Sequence, residues 1–473
     1  MSKSIKSKNQ MTMFGVHEPP AYEGTMDVYA DGFGRSVINL RKELKDEIPN
    51  TTYLTHGIHN FYPAKFIPQV PRFVIKKFGL KRKVILDPFA GSGTTAVESL
   101  VTENSNISND INPITKFLID VKTLRVIPKN YSSYIDRLNY HISCVLKSNL
   151  RFVPKWQNLD YWYPADILAS LTKIWGYIHN VDDDENDMKH ILKASALWIS
   201  RKYSYGEDDS PKLFKSKQKT IKIKELVEKF HKVGEELLQR KLQKKAKEYL
   251  GHIIQFNSCL KNEYKQTSSL NDTNEQFLLV LNNGIEELGE ILREGTVDCI
   301  ITSPPYIYAQ EYFRSTKIDM YWLDMADDQS IRKLTKREIG QKLKSFSNLD
   351  MELKTIKSFE SASNAIEKLS KNFKTKENIF RFRAYFSDML YFIQLSYKIL
   401  KPNGIFALFI GEPKVFGRPT NVKDIISEML NKNSFKIKYT FFDIIKSRHL
   451  SKNRLNENPD GIAGEWIIIG EKI

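Results

Sequence analysis

Two short stretches carry residue types whose spacing could do chemistry. The first reads Asp87-Pro88-Phe89-Ala90-Gly91-Ser92-Gly93-Thr94-Thr95. Gly91 and Gly93 let the backbone pass close to a ligand and take conformations that other residues resist. A helix opening at Thr94 would turn free N–H groups toward that ligand. The dinucleotide fingerprint GxGxxG is absent, and the acid at position 87 suits a cationic or amino-bearing ligand better than a pyrophosphate. Asp110 follows about 20 residues on, where a second-strand acid meets ribose hydroxyls. A bare tight turn would show the same glycines. The strand, the turn and the later acid together favour a binding site.

The second stretch is Ile300-Ile301-Thr302-Ser303-Pro304-Pro305-Tyr306. Two prolines fix φ, remove two N–H donors and restrict the residues before them. What remains is a stiff loop of acceptors, the Ser303 hydroxyl and backbone carbonyls, with Tyr306 offering a flat face. An amino group entering there would meet acceptors and no proline donor. The plain alternative is a proline-rich turn with a buried tyrosine.

Strands and helices must position both loops. Residues 84–87 are a short apolar run ending in an acid, the pattern of a buried parallel strand, with a helix predicted over 94–102 and a weak strand at 106–110. Strand character returns at 277–282, 297–301, 405–410, 435–443 and 465–469. An amphipathic helix is expected at 380–400, turned into the next strand by Lys401-Pro402-Asn403-Gly404. Alternation of this kind predicts an α/β fold with a doubly wound, mostly parallel sheet. The last two strands, with no helix between them, would form an antiparallel hairpin at one edge.

The two motifs together resemble the amino-methyltransferase family of DNA methylases, which act on N6 of adenine or N4 of cytosine. The resemblance implies a Rossmann-like methyltransferase sheet and S-adenosyl-L-methionine as cofactor. On it, Asp87, Phe89, Gly91, Gly93, Thr94 and Asp110 bind the cofactor. Ser303, Pro304, Pro305 and Tyr306 hold the target base, and the serine form resembles the N4-cytosine members. His56 to Pro68 looks like the segment that folds over the methionine end, with Tyr62, Lys65 and Phe66 as its contacts. The family often carries a Gly-Asp pair near the end of the preceding strand. Here Leu281-Asn282-Asn283-Gly284 stands in its place, so Asn282 or Asn283 would take that role. The cofactor motif precedes the Ser-Pro-Pro-Tyr loop, whereas many family members have the opposite order.

These readings divide the chain into an N-terminal arm (1–52), a cofactor-binding half (53–125), a helical insertion (126–275), the part carrying the catalytic loop (276–328), a polar insertion (329–376) and C-terminal strands (377–473). Within 126–275, the stretch 221–250 reads as one long charged helix. The segment is basic and carries Trp156, Tyr161, Trp162 and Tyr163. It is the candidate for target recognition, with Ser200 to Tyr205 and the lysines at 212, 215, 217 and 219 as candidate phosphate contacts or simply a solvated face.

Composition agrees with a polyanion partner. Among 473 residues, Lys plus Arg is 72 against 56 for Asp plus Glu, a net charge of +16, which favours nucleic acid. Double-stranded DNA is the expected partner, with a cognate restriction endonuclease as companion. The three cysteines have no metal-site or disulfide spacing. No metal is expected, nor a membrane span, and a cytoplasmic, nucleoid-associated location fits. No Pro-Cys dipeptide occurs, which argues against carbon-5 cytosine methylation through a Cys nucleophile. The alternatives left open are adenine N6 methylation, RNA amino-methylation and a non-catalytic DNA-binding subunit.

Overall fold

A computed structural model describes residues 29–30, 34–59, 61–63, 65–208, 213–270, 275–307, 312–340, 347–368, 373–415, 418–444 and 464–473. Its centre is a ten-stranded sheet. In chain order the strands are β1 (Tyr29–Ala30), β2 (Ser36–Ile38), β3 (Val84–Asp87), β4 (Ser105–Asn109), β5 (Lys265–Thr267), β6 (Phe277–Leu281), β7 (Val297–Thr302), β8 (Leu400–Gly411), β11 (Phe435–Ile444) and β12 (Gly464–Lys472), while β9 (Lys414–Val415) and β10 (Arg418–Pro419) form a separate ribbon. The spatial order is β1-β2-β11-β12-β8-β7-β3-β4-β6-β5. Neighbours from β5 to β8 pair in parallel, and β12 pairs antiparallel with both β8 and β11. This is the expected Rossmann-like methyltransferase sheet.

The strand order reverses between β3 and β7. From β3 the chain moves through β4 to β6 on one side, and β7 with β8 lies on the other. Such a switch point opens a crevice beyond the carboxyl ends of the strands. Asp87 is the last residue of β3 and Thr302 the last of β7, so both motifs emerge at that crevice.

The helices are α1 (Leu40–Glu43), α2 (Gln69–Lys77), α3 (Thr94–Val101), α4 (Pro113–Lys122), α5 (Tyr131–Val145), α6 (Leu159–Trp162), α7 (Ala165–His179), α8 (Asn186–Lys202), α9 (Lys217–Val233), α10 (Glu236–Cys259), α11 (Ile285–Ile291), α12 (Tyr312–Trp322), α13 (Asp328–Thr335), α14 (Ser347–Lys354), α15 (Lys357–Lys368), α16 (Phe373–Ile399) and α17 (Val422–Lys432).

Several local expectations change. The hairpin β11–β12 forms, but it is not the edge, because β2 pairs in parallel with β11 at Val37 and Ile38. The N-terminal lead-in therefore supplies sheet and the short helix α1, although residues 1–28 lie outside the described residues. The charged stretch 221–250 is two helices, broken at Gly234, whose φ is +77°. The described residues of the polar segment 329–376 are largely helical. Phe359 of α15 stacks on Phe382 of α16, centroids 5.6 Å apart, and Leu353, Ile356 and Ile366 join the same core. The segment 126–275 is helical as expected but closes with β5, an edge strand of the main sheet. Its apolar side is not a separate core. Trp175, Leu197, Leu242 and Ile253 pack in one cluster with Ile58, Tyr62, Ile114 and Phe117 of the cofactor-binding half and Ile318 and Trp322 of α12.

Candidate active site

A cleft of about 850 Å³, counted to its open mouth, lies across the carboxyl ends of β7, β3, β4 and β6. Each strand delivers a residue to it: Ser303 after β7, Asp87 at the end of β3, Asp110 after β4 and Asn283 after β6.

The glycine turn is built by sterics. Gly91 and Gly93 both have positive φ, +50° and +77°. A Cβ on Gly91 would meet Tyr62 Cε1 at 3.0 Å, and one on Gly93 would meet Ile119 Cγ1 at 2.4 Å. Gly93 thus lets α4 pack beneath the turn, and Gly91 lets the backbone run beside Tyr62. Asp110 fixes the turn from the next strand, accepting from Gly91 N at 2.8 Å and Asn112 N at 2.8 Å. Lys122, fully buried, donates to the Ser92 carbonyl at 2.6 Å.

Asp87 joins the two motifs. Its carboxylate accepts from Thr95 Oγ1 and from Thr302 Oγ1, both at 2.7 Å, and from Phe89 N at 3.2 Å. Burial pushes the carboxyls of Asp87 and Asp110 up to about 6 each, against hydrogen bonds that work the other way. Lys65 is pulled down to about 8 by burial. Its ammonium donates to the His56 carbonyl. The His56 ring in turn bonds Glu98 at 2.8 Å, and Glu98 pairs with Arg72 at 2.7 Å. The segment before the glycine turn is thereby fixed to α2 and α3.

Most of the expected cofactor residues line the cleft: Tyr62, Lys65, Phe66, Asp87, Phe89, Gly91, Asp110 and Asn283. Gly93 and Thr94 stand behind it, and Thr94 Oγ1 donates to the Phe66 carbonyl at 3.0 Å. Asn283 is the member of its pair at the cleft, whereas Asn282 donates to the Asp110 carbonyl at 2.6 Å. In the second motif, Ser303 and Pro305 line the cleft and Pro304 and Tyr306 do not. The Tyr306 hydroxyl donates to Glu465 of β12 at 2.6 Å and accepts from Ser303 Oγ at 3.2 Å. Burial, then the Glu465 charge, raises the Tyr306 phenol well above its ordinary range.

The candidate phosphate contacts fare differently. Arg201 is buried, with its guanidinium on both Asp319 oxygens at 2.9 and 2.7 Å, so it is not available to DNA. Lys219 is buried against Asp208 at 2.8 Å. Lys202 pairs with Asp208 as well, at 3.1 Å. Lys217 is exposed, Lys215 lies 3.5 Å over the exposed Tyr161 ring, and Lys212 lies outside the described residues. Of the aromatic group, Trp156 and Tyr163 are core. Trp156 stacks on Tyr321 with centroids 4.9 Å apart, and Tyr163 accepts from Trp322 Nε1.

Sequence reasoning missed Asn112, Tyr312, Phe313 and the run Arg337-Glu338-Ile339, all of which line the cleft. Asn112 before Pro113 is a readable helix N-cap, and its side chain accepts from Ile114 N at 3.4 Å. Nothing local marks the others. Among the described residues no group of three His, Cys, Asp or Glu side chains could hold a metal ion, and no helix is long and apolar enough to cross a membrane.

The chain is also similar in sequence to known proteins. Residues 7–116 match the family model described as DNA methylase. The chain is 25% identical over 423 residues to Type II methyltransferase M.MvaI of Kocuria varians, covering 85% of this chain and 87% of that protein. It is 26% identical over 310 residues to Type II methyltransferase M.BsoBI of Geobacillus stearothermophilus, covering 60% and 56%. A 102-residue stretch is 35% identical to Type II methyltransferase M.MjaII of Methanocaldococcus jannaschii, 21% of this chain and 19% of that one.

Proposed function

The chain belongs to the DNA amino-methyltransferase family, and on that premise we propose that it moves a methyl group from S-adenosyl-L-methionine to N4 of a cytosine flipped out of duplex DNA. The observation that carries the reading is the Asp87–Thr302 hydrogen bond, 2.7 Å long, which puts a glycine turn and an acceptor-rich Ser-Pro-Pro-Tyr loop on one cleft. The residues present fit the donor: a positive-φ glycine turn against Tyr62, with carboxylates on both sides.

The donor, when bound, supplies a sulfonium methyl group that is already electrophilic. The task of the chain is to make a poor nucleophile adequate. Ser303 Oγ would accept from an amino hydrogen and help localise the lone pair, and a fixed acceptor then meets charge building on nitrogen. Holding nitrogen and methyl in line contributes up to about 7–11 kcal/mol. Asp110 suits ribose hydroxyls, and Lys65 a carboxylate at the opposite end. Tyr306 stands behind Ser303 and not in the cleft, so its proposed part is to brace the acceptor loop: its hydroxyl, held by Glu465, accepts from Ser303 Oγ. Cys299 is buried in the core of β7 and does not line the cleft, so carbon methylation through a thiolate has no support.

The helical segment 126–275 is proposed to read the target, with Tyr161, Lys215 and Lys217 on its open face. A restriction endonuclease of the same specificity is the proposed companion. The test is methylation of plasmid DNA by the purified chain, followed by nucleoside mass spectrometry. N4-methylcytosine is expected. N6-methyladenine would overturn the base assignment, and no methylated nucleoside would overturn the whole reading.

A further inference from the structure

The segment after α13 has no role in the reading so far, yet Arg337, Glu338 and Ile339 form one wall of the cleft. The order of the strands says which wall. The acceptor loop follows β7, the glycine turn follows β3, Asp110 follows β4 and Asn283 follows β6. With the methyl group toward Ser303 and the ribose at Asp110, the nucleobase of the donor falls beyond Asp110, toward Asn283. Arg337 stands there. Its Nη2 is 2.6 Å from Glu287 Oε1, and Glu287 Oε2 accepts from Gly284 N at 2.8 Å, one residue past Asn283. Gly284 leaves the room for this, since a Cβ there would lie 2.6 Å from Arg337 Nη2. At the other end Gly340, with φ +77°, donates its N–H to Asp388 at 2.8 Å.

We infer that Arg337 to Ile339 is a strap, pinned to α11 and α16, against which the purine of the donor packs, so that it sets selectivity for a nucleoside-bearing donor. Ile339 supplies an apolar face for the ring, and the Arg337–Glu287 pair positions it. This rests on the donor reading above.

The test is calorimetric titration of the full chain with S-adenosylhomocysteine, adenosine and methionine, each alone. The wild-type chain should bind S-adenosylhomocysteine; failure here strikes the donor reading itself. Ile339→Ala should weaken S-adenosylhomocysteine and adenosine by roughly tenfold and leave methionine unchanged. Arg337→Glu should weaken the same two ligands by about two- to fivefold, and adding Glu287→Arg should restore part of the loss, since Gly284 N then lacks its acceptor. Unchanged adenosine binding in the Ile339→Ala chain overturns the strap. So does a parallel loss of methionine, because a purine wall cannot act on the far end of the cleft.

Discussion

Thr302 Oγ1 donates to Asp87 Oδ1 at 2.7 Å, so the last residue of β7 is tied to the last residue of β3. Each is followed by a loop that reaches the same cleft. Thr302→Val keeps the shape and removes the donor. It should cost about 1.5–3 kcal/mol in denaturant unfolding, as expected for a buried bond to a charged acceptor. Methyl transfer in a single turnover should fall more than donor affinity does, since the relation lost is between the loops.

Two buried carboxyls give a pH signature. Asp87 and Asp110 sit near 6 in the folded chain against 3.8 ordinarily. The folded state therefore holds more protons between those values, and their contribution to stability falls as pH rises from about 4 to about 6, then stays level. Donor binding that uses the ionised forms runs the other way, strengthening over the same window by up to about tenfold per pH unit for each carboxylate. Melting of the free chain and calorimetric donor affinity, both measured from about pH 4 to about pH 8, should slope in opposite directions below about pH 6 and level off above it. Asp110→Asn should make both curves shallower, leaving the share that Asp87 contributes.

Gly93 tests the turn. Gly93→Ala places a methyl group 2.4 Å from Ile119 Cγ1 at φ +77°. The strained backbone costs about 1–2 kcal/mol and overpacking about 1–3 kcal/mol. Unfolding midpoints should drop accordingly, with donor binding weakened. Adding Ile119→Ala should recover stability in the Gly93→Ala background, although it destabilises the wild-type chain.

Asp319 tests how the helical segment is held. It pairs with Arg201 of α8 at 2.7 Å and with His59 at 3.2 Å, all fully or nearly buried. Burial alone would raise its carboxyl, but Arg201 and His59 hold it down at about 2. Asp319→Ala leaves Arg201 buried without its partner and should cost about 3–5 kcal/mol in urea unfolding. The double change Arg201→Met, Asp319→Leu should be less damaging than Asp319→Ala alone.

The sheet was legible because its strands are short apolar runs buried on both faces, as Val84–Asp87 and Val297–Thr302 are. The two loops were legible because glycine and proline write backbone geometry directly into sequence. The break at Gly234 was not, since the charged pattern runs through it on both sides. β2 was hidden because a three-residue strand has no periodicity to read. Helices α13 to α15 were hidden by polar composition; α14 and α15 are explained by packing with Phe382 and Phe386 of α16, and α13 by Ile331, which joins the cluster of Tyr321 and Trp322 in α12. Ile339 reaches the cleft through tertiary anchors at Glu287 and Asp388, which lie about 50 residues from it on either side. Arg201 was misplaced because a basic residue beside tyrosines looks the same whether it faces a phosphate or a buried acid.

The apolar cluster shared by the helical segment, the Ile58 to Phe117 region and α12 bears on engineering. A segment with its own core could be traded between relatives as a cassette to redirect which DNA is modified. Here the transplant would carry away the packing against Tyr62, which lines the cleft, and against Trp322 of α12. On the target-reading role proposed for this segment, new specificities should come instead from changes at Tyr161, Lys215 and Lys217, made in place.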